Sequence, residues 1–103
     1  GDKERVFRLT FESIVNIESR TNKSVIDLTT EMAKGKYSFK DLLIILHEGL
    51  MGAKNNILQE AVGDMIMESG IVKASETAGI VLASAFTGNQ KDEKDPLVGA
   101  ENK

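Results

Sequence analysis

His47 is the single histidine of the chain and stands beside Glu48 in Leu46-His47-Glu48-Gly49. An imidazole next to a carboxylate is the raw material of general acid–base chemistry. Adjacent residues on a helix point about 100° apart, however, and do not share a face. No second histidine is present to complete a metal site. His47 is therefore expected at the edge of the core or on the surface. Asp64 and Glu68 are four apart, on one face of a helix, and such a pair does chemistry only inside a pocket; a solvated face is expected for it. The serines 13, 19, 24, 38, 69, 75 and 84 fall in no Gly-x-Ser-x-Gly elbow, and several precede apolar runs as helix caps do. Absence of cysteine removes disulfides, thiolate zinc sites and cysteine nucleophiles together. The glycines are scattered and never form a phosphate-cradling loop. The expectation is a protein with no catalytic, cofactor-binding or metal-ligating residues, and not an enzyme.

The elements that carry these residues read as mainly α, a small bundle of about five helices with one short N-terminal β-strand. Arg5-Val6-Phe7-Arg8-Leu9 alternates so that Phe7 and Leu9 share one face, which predicts a strand. One strand is not stable alone. With Gly1-Asp2 resembling a turn, it implies half of a truncated hairpin or a pairing with another chain. Thr10 caps a first helix over about 11–20, with Phe11, Ile14, Val15 and Glu18 as its expected inner stripe. Ser24 with Asp27, and Ser38 with Asp41, form capping-box spacings that open helices over about 25–33 and 39–51. Val25, Leu28 and Met32 stripe the second, and Gly35 suits its left-handed end. The run Leu42-Leu43-Ile44-Ile45-Leu46 is apolar almost all round, so the third helix is expected at the centre, its end loosened by Gly49 and Gly52. A fourth helix follows over about 57–69, with Ile57, Ala61 and Met65 beside Leu58, Val62 and Ile66, stopped by Gly70. A fifth covers about 75–87, with Ala78, Leu82, Ala85 and Phe86 inward and a close contact expected at Gly79. The domain is expected over 1–87 and a flexible charged segment over 88–103, where Leu97-Val98 is the only apolar pair.

Composition narrows the partners. The 103 residues suit one domain with a modest core, and 41% hydrophobic against 28% charged residues is a globular balance. Net charge is −3, residues 1–40 being net positive and 41–103 net negative. An acidic chain, with no aromatic residue in a basic run, does not point to nucleic acid. No apolar run reaches bilayer length and the first residues lack a signal peptide's apolar stretch, so no membrane partner is expected and the cytoplasm of the producing bacterial cell is. Exposed methionine suits adaptable protein contacts. Met51, Met67, Phe86 and Leu97 are the expected protein-binding residues.

Phe7-Arg8-Leu9-Thr10-Phe11, followed by a helix with Glu18 and a polar turn into Ser24, resembles the small tail proteins of gene transfer agents and siphophage-type prophages. Ser38-Phe39-Lys40-Asp41-Leu42, Ala61-Val62-Gly63-Asp64, Glu68-Ser69-Gly70-Ile71 and Ala83-Ser84-Ala85-Phe86-Thr87-Gly88 extend the likeness over most of residues 4–88. The chain departs from that pattern at its start and at Asn22, where the family tends to carry Gly; Asn tolerates a left-handed backbone well. The resemblance implies a role in tail morphogenesis. Its first form is a tail assembly chaperone that binds the tape-measure or tail tube protein in the cytoplasm, with self-association as a further possibility. The alternative is a structural tube component resident in the virion tail. A helical DNA-binding regulator is a third reading, disfavoured by the acidic C-terminal part.

Overall fold

The structure, a computed structural model, describes residues 6–87. Five helices follow in chain order: α1 Phe11–Thr21, α2 Val25–Lys34, α3 Phe39–Gly52, α4 Gln59–Ser69 and α5 Ile71–Ala83. The mainly helical bundle is as the sequence reads. The short strand is not: among the described residues there is none, and 6–10 is an irregular lead-in to α1. Its alternation is used all the same, because Leu9 is buried and Phe7 packs against the core.

Three starts are chemically explicit. Thr10 Oγ1 accepts the N–H of Ser13 at 3.0 Å, Ser24 Oγ that of Asp27 at 3.0 Å, and Ser38 Oγ that of Asp41 at 3.0 Å. Each satisfies one of the amide groups a helix start leaves open. Glu18 Oε2 accepts the N–H of Val25 at 2.9 Å, so the end of α1 also caps α2. Asn22 takes the left-handed conformation (φ 63°) that lets the chain leave α1, as does Gly35 after α2.

The second half departs from expectation. α4 begins at Gln59 with no side-chain cap, and α5 runs over 71–83 in place of about 75–87. Gly70, at φ 100°, ends one helix and starts the next, a backbone state that only glycine adopts without strain. Ser75 is interior to α5, its hydroxyl donating to the Val72 carbonyl at 2.7 Å.

α3 is the hub, packed against α1, α4 and α5, while α2 covers α5. Leu42, Ile45 and Leu50 of α3 meet Ile17, Leu28, Ile66 and Leu82, all fully buried or nearly so. Full burial of each such side chain contributes about 1.5–3 kcal/mol. The inner face of α1 is Ser13, Ile17 and Thr21; of the expected stripe only Ile14 packs against the core, while Phe11 is 84% exposed and Val15 half-exposed. Phe86, expected inward, is also exposed, as is Leu58. On α2, Leu28 is buried, with Val25 and Met32 packed beside it.

Small residues explain the face of α1 and the end of α3. The lead-in crosses α3 where Gly49 and Gly52 leave room. The Arg8 N–H donates to the Gly49 carbonyl at 2.9 Å, and Asn55 Nδ2 donates to the Val6 carbonyl at 2.9 Å. A Cβ on Gly52 would collide with the Arg8 carbonyl oxygen and stand 2.6 Å from Ser13 Oγ. These glycines thus seat the lead-in and do not loosen the helix. The left-handed residue that closes α3 is Lys54 (φ 68°), with the Asn55 N–H returning to the Leu50 carbonyl at 2.9 Å. At Gly79, where a close contact was expected, a Cβ would meet nothing within 4 Å.

Candidate protein-binding surfaces

Two carboxylates of the hub helix are buried, and both are paired. Lys23, in the turn after α1, reaches Asp41 Oδ2 at 2.8 Å and Glu31 Oε1 at 3.0 Å. Arg20 Nη1 reaches Glu48 Oε2 at 2.8 Å. Asn16 Nδ2 donates to the other Glu48 oxygen at 3.3 Å, and Arg20 Nη2 donates to Gln59 Oε1. Lys23 joins the end of α1 to the start of α3, while Asn16 meets Glu48 and Ser13 stands beside Gly52 near the end of α3, so the two helices run antiparallel. Hydrogen bonds to Asp41 and then to Glu31 raise the Lys23 pKa above its ordinary 10.5.

His47 belongs to this seam. Its Nε2 lies 3.0 Å from the Ile57 carbonyl and its Nδ1 3.3 Å from Arg20 Nη1. A carbonyl only accepts, so Nε2 carries the proton and Nδ1 accepts from Arg20. Both ring nitrogens are committed to holding the loop before α4 against α1 and α3. Ser13 is likewise used, its hydroxyl 2.8 Å from Thr10 Oγ1. Asp64 and Glu68 are both exposed. Among the described residues, no group of three His, Cys, Asp or Glu side chains could hold a metal ion. No helix of the described residues is long and apolar enough to cross a membrane.

Two concavities lie among the described residues. One is a polar groove bordered by Arg8, Glu12, Asn16, His47, Met51 and Lys54, along the α1–α3 seam. The other is an apolar cleft of about 180 Å³ where α3, α4 and α5 meet. Leu46, Leu50, Val62, Met65, Ile66 and Ala74 line it, Phe7 of the lead-in closes one side, and Ser69, Lys73 and Thr77 form a polar margin. The expected contact residues do not converge on the cleft. Met51 is 42% exposed in the polar groove, Met67 is 68% exposed on α4, and Phe86 is 52% exposed after α5. Leu97, with the whole segment 88–103, lies outside the described residues. Met65, which pattern alone assigns to the core, lines the cleft, and its i, i+4 relation to Ala61 and Ser69 hid that partial exposure. Nothing local marks Arg20 and Glu48 as partners, since 28 residues separate them.

Apolar side chains stand exposed on several elements at once: Phe11 on α1, Ile26 on α2, Met67 on α4, and Val72 and Ile80 on α5. Fold and surface together define a small helical bundle with an open apolar cleft among α3, α4 and α5 and apolar side chains on several sides. The family described as phage tail tube protein, GTA-gp10, matches residues 1–88, and the chain belongs to it. Searches of curated proteins and of solved structures returned no significant match. The protein is thus a gene transfer agent or phage tail protein, in line with the resemblance in its motifs.

Proposed function

We propose that the protein is a structural component of a phage-type tail, built into the tube region, that works through contacts with other tail proteins and not through catalysis. The observation that carries this reading is the family match over residues 1–88 to a tail tube description. The surface supports it. Exposed apolar side chains on all five helices give a subunit more than one sticky side, as head-to-tail packing of copies into rings requires. The opposite charge balance of residues 1–40 and 41–103 suits the same head-to-tail contact. Met51, Met67, Phe86 and Leu97 are proposed as contact residues, with other tail proteins or copies of the chain as partners. Quantitative mass spectrometry of purified particles tests this. Many copies per particle are expected, and absence from particles would contradict it.

A tail assembly chaperone is the second reading, and one observation favours it. A tube wall made of sheets that continue between subunits needs strand edges, and the described residues contain no strand. A helical domain with an apolar cleft suits transient holding of a tape-measure or tube segment in the cytoplasm. Co-purification with a tape-measure fragment, together with absence from finished particles, would select it.

A further inference from the structure

We propose that the outward face of α4 is a docking surface for a second copy of the chain, seated against the lysine corner between α2 and α3 of that copy, so that subunits join head to tail. The proposal rests on the structural-component reading and deepens it by naming the contact between copies. Glu60, Asp64 and Glu68 recur every four residues along α4, and all three are exposed. Asp64 stands two residues from the buried Val62 and from the buried Ile66, about 160° round the helix from each, so the stripe points away from the core. Met67 is exposed on the same face. α4 contains no lysine or arginine. Like charges four apart weaken a helix, and Glu68 sits in the last turn, where the helix dipole disfavours an anion. The stability of α4 itself does not account for this face.

Lys34, Lys36 and Lys40 supply the opposite charge. Lys34 ends α2, Lys36 lies in the turn that follows, and Lys40 is in the first turn of α3, where the dipole disfavours a cation. All three are exposed, and Phe39 is 37% exposed among them. The carboxylates of Glu31 and Asp41 are both committed to Lys23, and Asp27 stands towards the other end of α2. The helices packed on α4 bring Lys40 and His47 on α3 and Lys73 on α5, with Glu76 also on α5. Among the described residues, however, no cation pairs with Glu60, Asp64 or Glu68, and no carboxylate pairs with Lys34, Lys36 or Lys40. α2 and α4 both pack on α5 and share no substantial contact, so the two patches are separate surfaces. A surface that matches a different one on its copy makes a heterologous contact, which repeats from subunit to subunit. Met67 and Phe39 give that contact an apolar centre inside a charged rim.

The absence of cysteine allows a direct test by disulfide trapping. Full-length M67C and K36C chains, mixed under mild oxidation, are expected to form the mixed disulfide faster than either chain links to itself. They should also outpace M67C mixed with S19C, a control on the exposed side of α1. That advantage should be lost in about 1 M salt, where the screening length falls to about 3 Å. Reversal of α4 in the M67C chain (E60K/D64K/E68K) should abolish it, as should K34E/K40E in the K36C chain. Combining the two reversed chains should restore it, which excludes misfolding as the cause of either loss. No preference for the mixed disulfide, faster linking of M67C to itself, or indifference to the reversals would each overturn the proposal. A chain abundant in purified particles that fails this test would remove the contact and leave the structural reading standing. A chain that passes it but is absent from particles would keep the contact and remove that reading.

Discussion

Gly52 lies so close beneath the Arg8 carbonyl that no side chain fits between them, and this contact anchors the lead-in to the end of α3. Gly52→Ala must push backbone away, and backbone gives less easily than a side-chain tip. The substitution is expected to destabilise the fold by about 2–3 kcal/mol. Gly79→Ala, in open space within α5, is expected to stabilise it by up to about 1 kcal/mol. Denaturant unfolding of both variants checks the contrast; equal effects would contradict it.

Lys54 closes α3 in a left-handed conformation, which costs a residue with a Cβ about 1–2 kcal/mol. Lys54→Gly removes that strain but adds backbone freedom to the unfolded chain. A net gain of about 0.5–1 kcal/mol is expected in thermal unfolding, and a loss would show that the Lys54 side chain has a stabilising role of its own.

Arg20 and Glu48 form the partly buried pair of the α1–α3 seam. Removing Arg20 leaves the buried Glu48 with the Asn16 amide alone, and removing Glu48 leaves Arg20 with only neutral partners, so Arg20→Ala and Glu48→Ala are each expected to cost about 1–3 kcal/mol. The double variant should cost clearly less than the two losses together. Additive losses in a double-mutant cycle would show that the two groups do not depend on each other.

These relationships mark where the sequence is legible. Thr10, Ser24 and Ser38 announce α1, α2 and α3 because capping is local chemistry, readable from residues three apart. The central place of α3 follows from a run too apolar for one exposed face. The start of α5 is hidden in the sequence because Gly70 does two jobs with no side-chain cap, while Ser75 imitates a cap inside the helix. The inner face of α1 is only partly legible: Ile14 packs inward as its spacing implies, but Ser13 and Thr21 are buried for their small size, which an apolar count cannot register. The cleft is less legible still: its walls come from three helices, and Met65 and Met67 look alike until their faces are known.

Lys23 gives the pH dependence. The charged form is favoured in the folded state by Asp41 first and Glu31 second, so its pKa is raised above 10.5. A raised lysine pKa contributes stability that is fully present below the unfolded value and is lost as pH rises through the folded one. The difference in stability between the protein and Lys23→Met is expected to stay constant up to the ordinary lysine range and to shrink above it. Unfolding midpoints across alkaline pH check this, and a difference that grew with pH would contradict it.

The central claim is that copies of this chain are part of the tail. Immunogold electron microscopy of purified particles, with antibody against the chain, tests it most directly. Gold distributed along the tails is expected. Unlabelled tails, with the protein recovered only in the lysate beside tape-measure or tube protein, would contradict the structural reading and leave the chaperone in its place.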